Sequence, residues 1–184
     1  MSTTTRTLVI RFAGVLIFLL AFGSALLPMA SHIRANTIIG ILLAVAGAIE
    51  LAAVFARRGH HLTSVIAAGA SVLAGLRLLA DPHANFLTIL NFVILWLVVR
   101  SAALFFSARR SLSPLCWWVY LAAAVDFALA VLLLAGLPVA VLVYGLFGTT
   151  DEIVATFAWV FAASFIAAGW LLIAAAPLEA SEAR

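Results

Sequence analysis

Apolar residues run along the chain in six long blocks, separated by short polar or proline-bearing stretches. They lie near Leu8–Leu27, Thr37–Phe55, Leu62–Ala80, Phe86–Phe106, Leu115–Leu137 and Glu152–Ala176. Each is long enough to cross a hydrocarbon layer of about 30 Å as a helix. Arg6 and Arg11 at the head of the first block give it the look of a secretory signal. A signal core is about 7–15 residues and precedes a polar mature domain, whereas five further apolar blocks follow here. The pattern therefore predicts an all-α, polytopic integral membrane protein with six transmembrane helices. Its parts are a short cytoplasmic N-terminus (1–7), a membrane domain (8–176) and a cytoplasmic tail (177–184).

Composition narrows the classes further. Hydrophobic residues make up 67% of the 184 and charged residues 9%, with a mean hydropathy of +1.27. A soluble domain is roughly half apolar and roughly a quarter charged, so a soluble enzyme and a disordered chain are excluded. Cys116 is the only cysteine, which excludes a disulfide scaffold. The net charge of +3 comes with ten basic residues, all arginine. Most sit singly or in pairs between apolar blocks, the distribution that sets membrane topology rather than a phosphate-binding patch, so nucleic acid is not an expected partner. With six spans, Arg6, Arg11, Arg57, Arg58, Arg109, Arg110 and Arg184 fall on one side. Arg34, Asp81, Asp151 and Glu152 fall on the other. Arginine excess marks the cytoplasmic side and puts both termini there. Trp117, Trp118 and Tyr120, just after Pro114, suit the headgroup level at the inner end of span five.

The blocks pair into three helical hairpins, each punctuated by a proline on the outer side: Pro28, Pro82 and Pro138. Arg57–Arg58 end the second span and Arg109–Arg110 the fourth. The third hairpin is longer, because Pro138–Gly148 adds apolar residues before the last helix. That helix has a readable start, with Thr149 as N-cap and Glu152 three positions on. Pro138–Gly148 extends span five as a kinked helix, lies along the outer interface, or dips in as a re-entrant piece.

These proline-punctuated hairpins resemble the HdeD-like acid-resistance membrane proteins of bacteria. The resemblance is carried by Gly14, fourteen residues before Pro28, by Gly75, seven before Pro82, and by IIGILLAVAGAIELAAVFARR from Ile38 to Arg58. The stretch LLLAGLPVAVLVYGLFG, Leu132 to Gly148, looks like that family's third hairpin. The likeness runs from about Arg11 to Ala176. The fourth span departs from it, carrying Arg100 in NFVILWLVVRSAALFF where the family has a glycine pattern. The resemblance implies a bacterial inner-membrane protein that contributes to acid-stress resistance without catalysis. It brings no catalytic or transport residue with it.

Catalytic and metal motifs are absent from the sequence, and no cofactor is expected. Cys116 has no base beside it and reads as a membrane-interface cysteine. His60–His61 read as a solvated cytoplasmic pair. His32 and His83 fall in outer connections near Arg34 and Asp81. An unperturbed histidine titrates near about 6.5, so these two are candidates for a pH-responsive outer loop, beside their plain reading as loop residues.

The ionisable residues inside the spans are more informative, because such groups are costly in lipid and face the bundle interior. Glu50 lies about 10 Å inside Arg57 along its helix, and Arg100 about 13 Å inside Arg109. Their matching depth predicts a Glu50–Arg100 ion pair between spans two and four. Asp126 lies about 18 Å from Pro114, near the middle of the layer. It is either a protonated, hydrogen-bonded interior aspartate or a third member of a network with Arg100 and Glu50. Arg77, four residues before Asp81, reads as an interfacial anchor. Small residues recur every four positions at Gly40, Ala44 and Ala48, and at Ala67, Ser71 and Gly75, which suits close helix packing.

Two other functions fit the same residues. One is a small proton-linked transporter or channel using Glu50, Arg100 and Asp126. The other is a membrane subunit or scaffold of a larger complex. Expected partners are the lipid bilayer and a second copy or another membrane protein.

Overall fold

The computed structural model describes residues 3–26, 35–57, 62–81, 85–109, 111, 115–136 and 152–181. Among them are six α-helices and no strand: α1 Thr3–Leu26, α2 Ala35–Ala56, α3 Leu62–Ala80, α4 Phe86–Ala108, α5 Leu115–Leu134 and α6 Glu152–Ser181. Every one contains a stretch long and apolar enough to cross a membrane. The chain is an all-helical, multi-pass membrane protein.

Helix ends follow local chemistry. Helix α1 starts at Thr3, about a turn before the apolar run at Leu8. Helix α5 stops at Leu134, short of Leu137. The Ala135 N–H closes on the Val131 carbonyl (2.8 Å) and the Gly136 N–H on that of Leu133 (3.1 Å). Gly136 then takes a φ of 64°, the left-handed turn that glycine adopts without a Cβ penalty. Helix α6 runs on through Pro177 to Ser181, beyond the expected end at Ala176. Pro138–Gly148, the Thr149 cap, His60–His61 and the outer connections carrying His32 and His83 lie outside the described residues.

The helices form a ring in chain order, and α1 closes it against α6. The closest seams are α1–α6, α2–α3 and α4–α5. Each joins neighbouring hairpins, while the two helices inside a hairpin touch less extensively. Helix α2 also reaches across to α6. The even-numbered helices are the better buried, 44% of the central window in α2 and α4 and 61% in α6, against 28% to 33% for the others. Helices α2, α4 and α6 therefore form the inside of the bundle, with α1, α3 and α5 around them.

Glycine makes two of the seams close. A Cβ on Gly14 would lie 2.8 Å from Ile173 Cγ1 and 3.0 Å from the Gly169 carbonyl oxygen, and one on Gly169 would lie 3.0 Å from the Gly14 carbonyl oxygen. The α2–α3 seam repeats this arrangement. A Cβ on Gly40 would meet the Gly75 carbonyl oxygen at 3.0 Å, and one on Gly75 would meet that of Gly40 at 2.7 Å. Backbones approach this closely only where side chains are missing, and close packing is what holds helices together when lipid is as apolar as the side chains. The expected small-residue series holds for Gly40, Ala44 and Gly75. Ala48 is exposed instead, and Gly47 makes the second close approach, against Ser71 and Val72.

Candidate functional site

Arg100 sits on the inner face of α4 with 2% of its surface exposed, between Glu50 of α2 (7%) and Asp126 of α5 (1%). Its guanidinium meets Glu50 edge-on with two parallel hydrogen bonds: Nη2 donates to Oε1 at 2.6 Å and Nη1 to Oε2 at 3.0 Å. Nε donates to Asp126 Oδ2 at 2.9 Å. The sequence singled out these three residues, and the structure brings them together in one network.

Hydroxyls and one indole complete it. Arg100 Nη1 also donates to Ser71 Oγ on α3 (3.1 Å). Ser71 accepts a second bond from Trp96 Nε1 (2.9 Å) and donates to the Ala67 carbonyl (3.3 Å). Ser164 of α6 donates to the other oxygen of Asp126, Oδ1, at 2.6 Å. Next to Arg100 on α4, Ser101 donates to the Ala123 carbonyl of α5 (2.9 Å). Trp96 also places its ring 5.7 Å from the Arg100 guanidinium carbon, within cation–π range. Five of the six helices thus contribute a polar atom to one cluster, and α1 alone does not.

Helix geometry explains the convergence. Trp96 and Arg100 are four apart and share a face of α4, so one helix supplies both cation and indole. Burying an ion costs several kcal/mol, offset only when geometry is good and the remaining donors and acceptors are met. Here the bidentate pair, the second carboxylate and the hydroxyls meet that condition. A planar guanidinium suits the arrangement, because its rigid fork matches a carboxylate edge. The charges do not cancel, however. Two carboxylates face one guanidinium, so the network is neutral when it holds one proton and negative when it holds none.

Sequence reasoning missed Trp96 and Ser164, and read Ser71 only as a small packing residue. Trp96 had a usable signal in its four-residue spacing from Arg100. Ser164 offered a weaker one, as a hydroxyl in the middle of a mostly apolar helix.

The remaining candidates lie apart from the network. Arg77 Nη1 is 3.8 Å from Asp81 Oδ2, with both side chains nearly half exposed. Arg77 also lies 5.1 Å from the centre of the Phe92 ring, an arrangement consistent with anchoring at the interface. Cys116 is half-buried at the start of α5, where Trp117 is exposed. No group of three or more histidine, cysteine or acidic residues close enough to hold a metal occurs among the described residues.

No family model, curated protein or solved structure matches the chain.

Proposed function

We propose that this chain is a non-catalytic inner-membrane protein of bacteria, of the HdeD-like stress class, that contributes to survival in acid. The observation that carries this reading is the position of Gly14 and Gly75. Both glycines are among the residues that carry the resemblance, and each lies at a close helix crossing, against Gly169 and Gly40. Spacings that look like a family signature thus coincide with contacts this bundle needs. The arginine-rich connections support cytoplasmic termini. In this reading the Glu50–Arg100–Asp126 network ties five helices together and acts as a clamp.

One observation favours a second reading, a proton-linked transporter or channel. The network's two carboxylates outnumber its single guanidinium, so it can gain or lose a proton without losing its cation.

Acid-shock survival of a strain lacking the gene tests both. The strain is complemented with wild type, Glu50→Gln or Asp126→Asn, at membrane levels matched by blot. Unchanged survival on deletion would sink the acid-stress reading. Rescue by wild type but not by well-expressed carboxylate variants would favour proton linkage. Rescue by all three would favour the clamp.

A further inference from the structure

The two sides of the network differ in kind. The end of the bundle where α1 begins and α6 finishes is here called the termini end, and the opposite one the far end. Moving seven residues, about 10 Å, along each contributing helix toward the far end reaches Leu43, Leu78, Val93, Leu133 and Phe157. All five are large, apolar and no more than 4% exposed. Trp96 and Phe161 lie in between, with ring centres 5.4 Å apart, and Phe157 continues the aromatic column along α6.

The same step toward the termini end reaches Arg57 just past the end of α2, Ser64 on α3 and Ser107 on α4. Only α5 and α6 offer apolar residues there, Val119 and Leu171. Ser64 and Ser107 meet across the α3–α4 interface, their Oγ atoms 3.1 Å apart. Ser111 donates to the Ser107 carbonyl at 3.0 Å and continues the polar series to the helix end. Beside Ser64, Thr63 Oγ1 is buried and has no hydrogen-bond partner among the described residues. A buried hydroxyl in that condition is one that water ordinarily satisfies. Between this serine layer and the network, α2, α3 and α4 present mostly alanine, Ala53, Ala67, Ala68 and Ala103, with Val54 and Leu104. The serine layer lies about two helical turns from the network.

We infer that the network is a proton- and water-accessible site open to the termini end alone, through the α2–α3–α4 serine track, and sealed from the far end by the aromatic and leucine layer. The charged groups facing one another in it are Glu50 from α2, Arg100 from α4 and Asp126 from α5, while α3 and α6 contribute Ser71 and Ser164. Water needs polar partners to occupy a site; the serine track supplies a series of them on the termini side, whereas the buried far-side hydroxyls are Ser24, which donates to the Ala158 carbonyl, and Thr156. An apolar layer less than two turns thick, built mostly of alanine methyl groups, is a thin barrier beside the far-end stack. The inference does not depend on the acid-stress reading. A clamp and a proton-linked site can both face one compartment.

Cysteine scanning in a Cys116→Ser background tests it. Single variants Ser107→Cys, Ala103→Cys, Ala67→Cys, Leu78→Cys and Val93→Cys are placed in inside-out and right-side-out vesicles. Each is treated with a charged, membrane-impermeant methanethiosulfonate. Ser107→Cys, Ala103→Cys and Ala67→Cys should react from the termini end at least about ten times faster than from the far end. Leu78→Cys and Val93→Cys should stay unreactive from both. Reactivity that stops at Ser107 overturns the inference, because the alanine layer then seals the network. Reactivity at Val93→Cys or Leu78→Cys from the far end overturns it as well. Ala103 and Ala67 lie on facing helices, so either variant still reads the layer if the other fails to fold. Acid survival and thiol reactivity are separate measurements, so either proposal can fail while the other stands.

Discussion

On the far side of Arg100 large side chains dominate the buried positions around the network: Leu43, Leu78, Val93, Trp96, Leu97, Leu133, Phe157 and Phe161. On the termini side α3, α4 and α5 present mostly alanine and serine, while α1 and α6 keep Ile10, Phe165, Leu171 and Leu172. The buried apolar residues fall into two clusters. The smaller one, on the termini side, consists of Ala67, Ala103, Leu104, Ala108, Val119, Ala122, Ala123 and Leu171. Both sides are equally helical and both cross lipid. What separates them is side-chain size and the presence of hydroxyls, and the ion network sits on the boundary. Large side chains fill space and keep the network's far side dry, whereas small ones bring backbones and hydroxyls within reach of one another.

Removing the boundary should have the largest effect. Arg100→Leu leaves two buried carboxylates without a cation. It is expected to cost about 3–5 kcal/mol, seen as a large fall in thermal unfolding temperature in detergent and in membrane yield. Adding Glu50→Gln and Asp126→Asn to it should recover most of the loss, because the stranded charges are then gone. If Arg100→Leu alone melts like wild type, the network contributes nothing to holding the two sides together.

Thinning the far side comes next. Leu43→Ala removes a fully buried side chain and is expected to cost about 2–5 kcal/mol, less where the neighbours can collapse into the space. Combined with Val93→Cys, it should also raise thiol reactivity from the far end. A variant that loses stability with no gain in reactivity would separate the packing role of this layer from its role as a seal.

The mildest change sharpens the contrast. Asp126→Asn keeps an acceptor for Arg100 Nε but trades charge-assisted bonds for neutral ones, a difference of about 1 kcal/mol. It should leave the pattern of thiol reactivity unchanged on both sides, since neither layer is touched. A shift in that pattern would mean that the charge of the network, and not the bulk of its surroundings, decides which side water enters.

Much of this was legible in the chain itself. Six apolar blocks of membrane-crossing length specify six helices, because lipid leaves the backbone no alternative to internal hydrogen bonds. The fourth and fifth helices start where the blocks do, at Phe86 and Leu115, but the left-handed turn at Gly136 ends α5 at Leu134, before the expected Leu137. Glu50 and Arg100 were found by depth, since a charge in lipid must find its opposite at the same level. Which helices form the inside was not legible. The spans are apolar on every face, so no stripe marks the side turned toward protein. The α1–α6 seam also escaped notice. Its two glycines belong to opposite ends of the chain, and nothing in local spacing links them. Ser164 was hidden for a related reason: a serine in the middle of an alanine-rich helix gains meaning only when the helix beside it is known.

The ring closure has a consequence for how the protein is made. Helix α1 finds its most extensive partner in α6, and the Ser24–Ala158 hydrogen bond across that seam joins residues 134 positions apart. At about 5–20 residues per second, a ribosome takes on the order of ten seconds to synthesise that interval. During that time the first span stands in the bilayer with a glycine-bearing face uncovered, held only by its lesser contacts with α2. Full assembly is therefore gated by the last helix to emerge. A chain truncated before α6 would leave its first helix open to capture by another membrane protein or to removal by quality control.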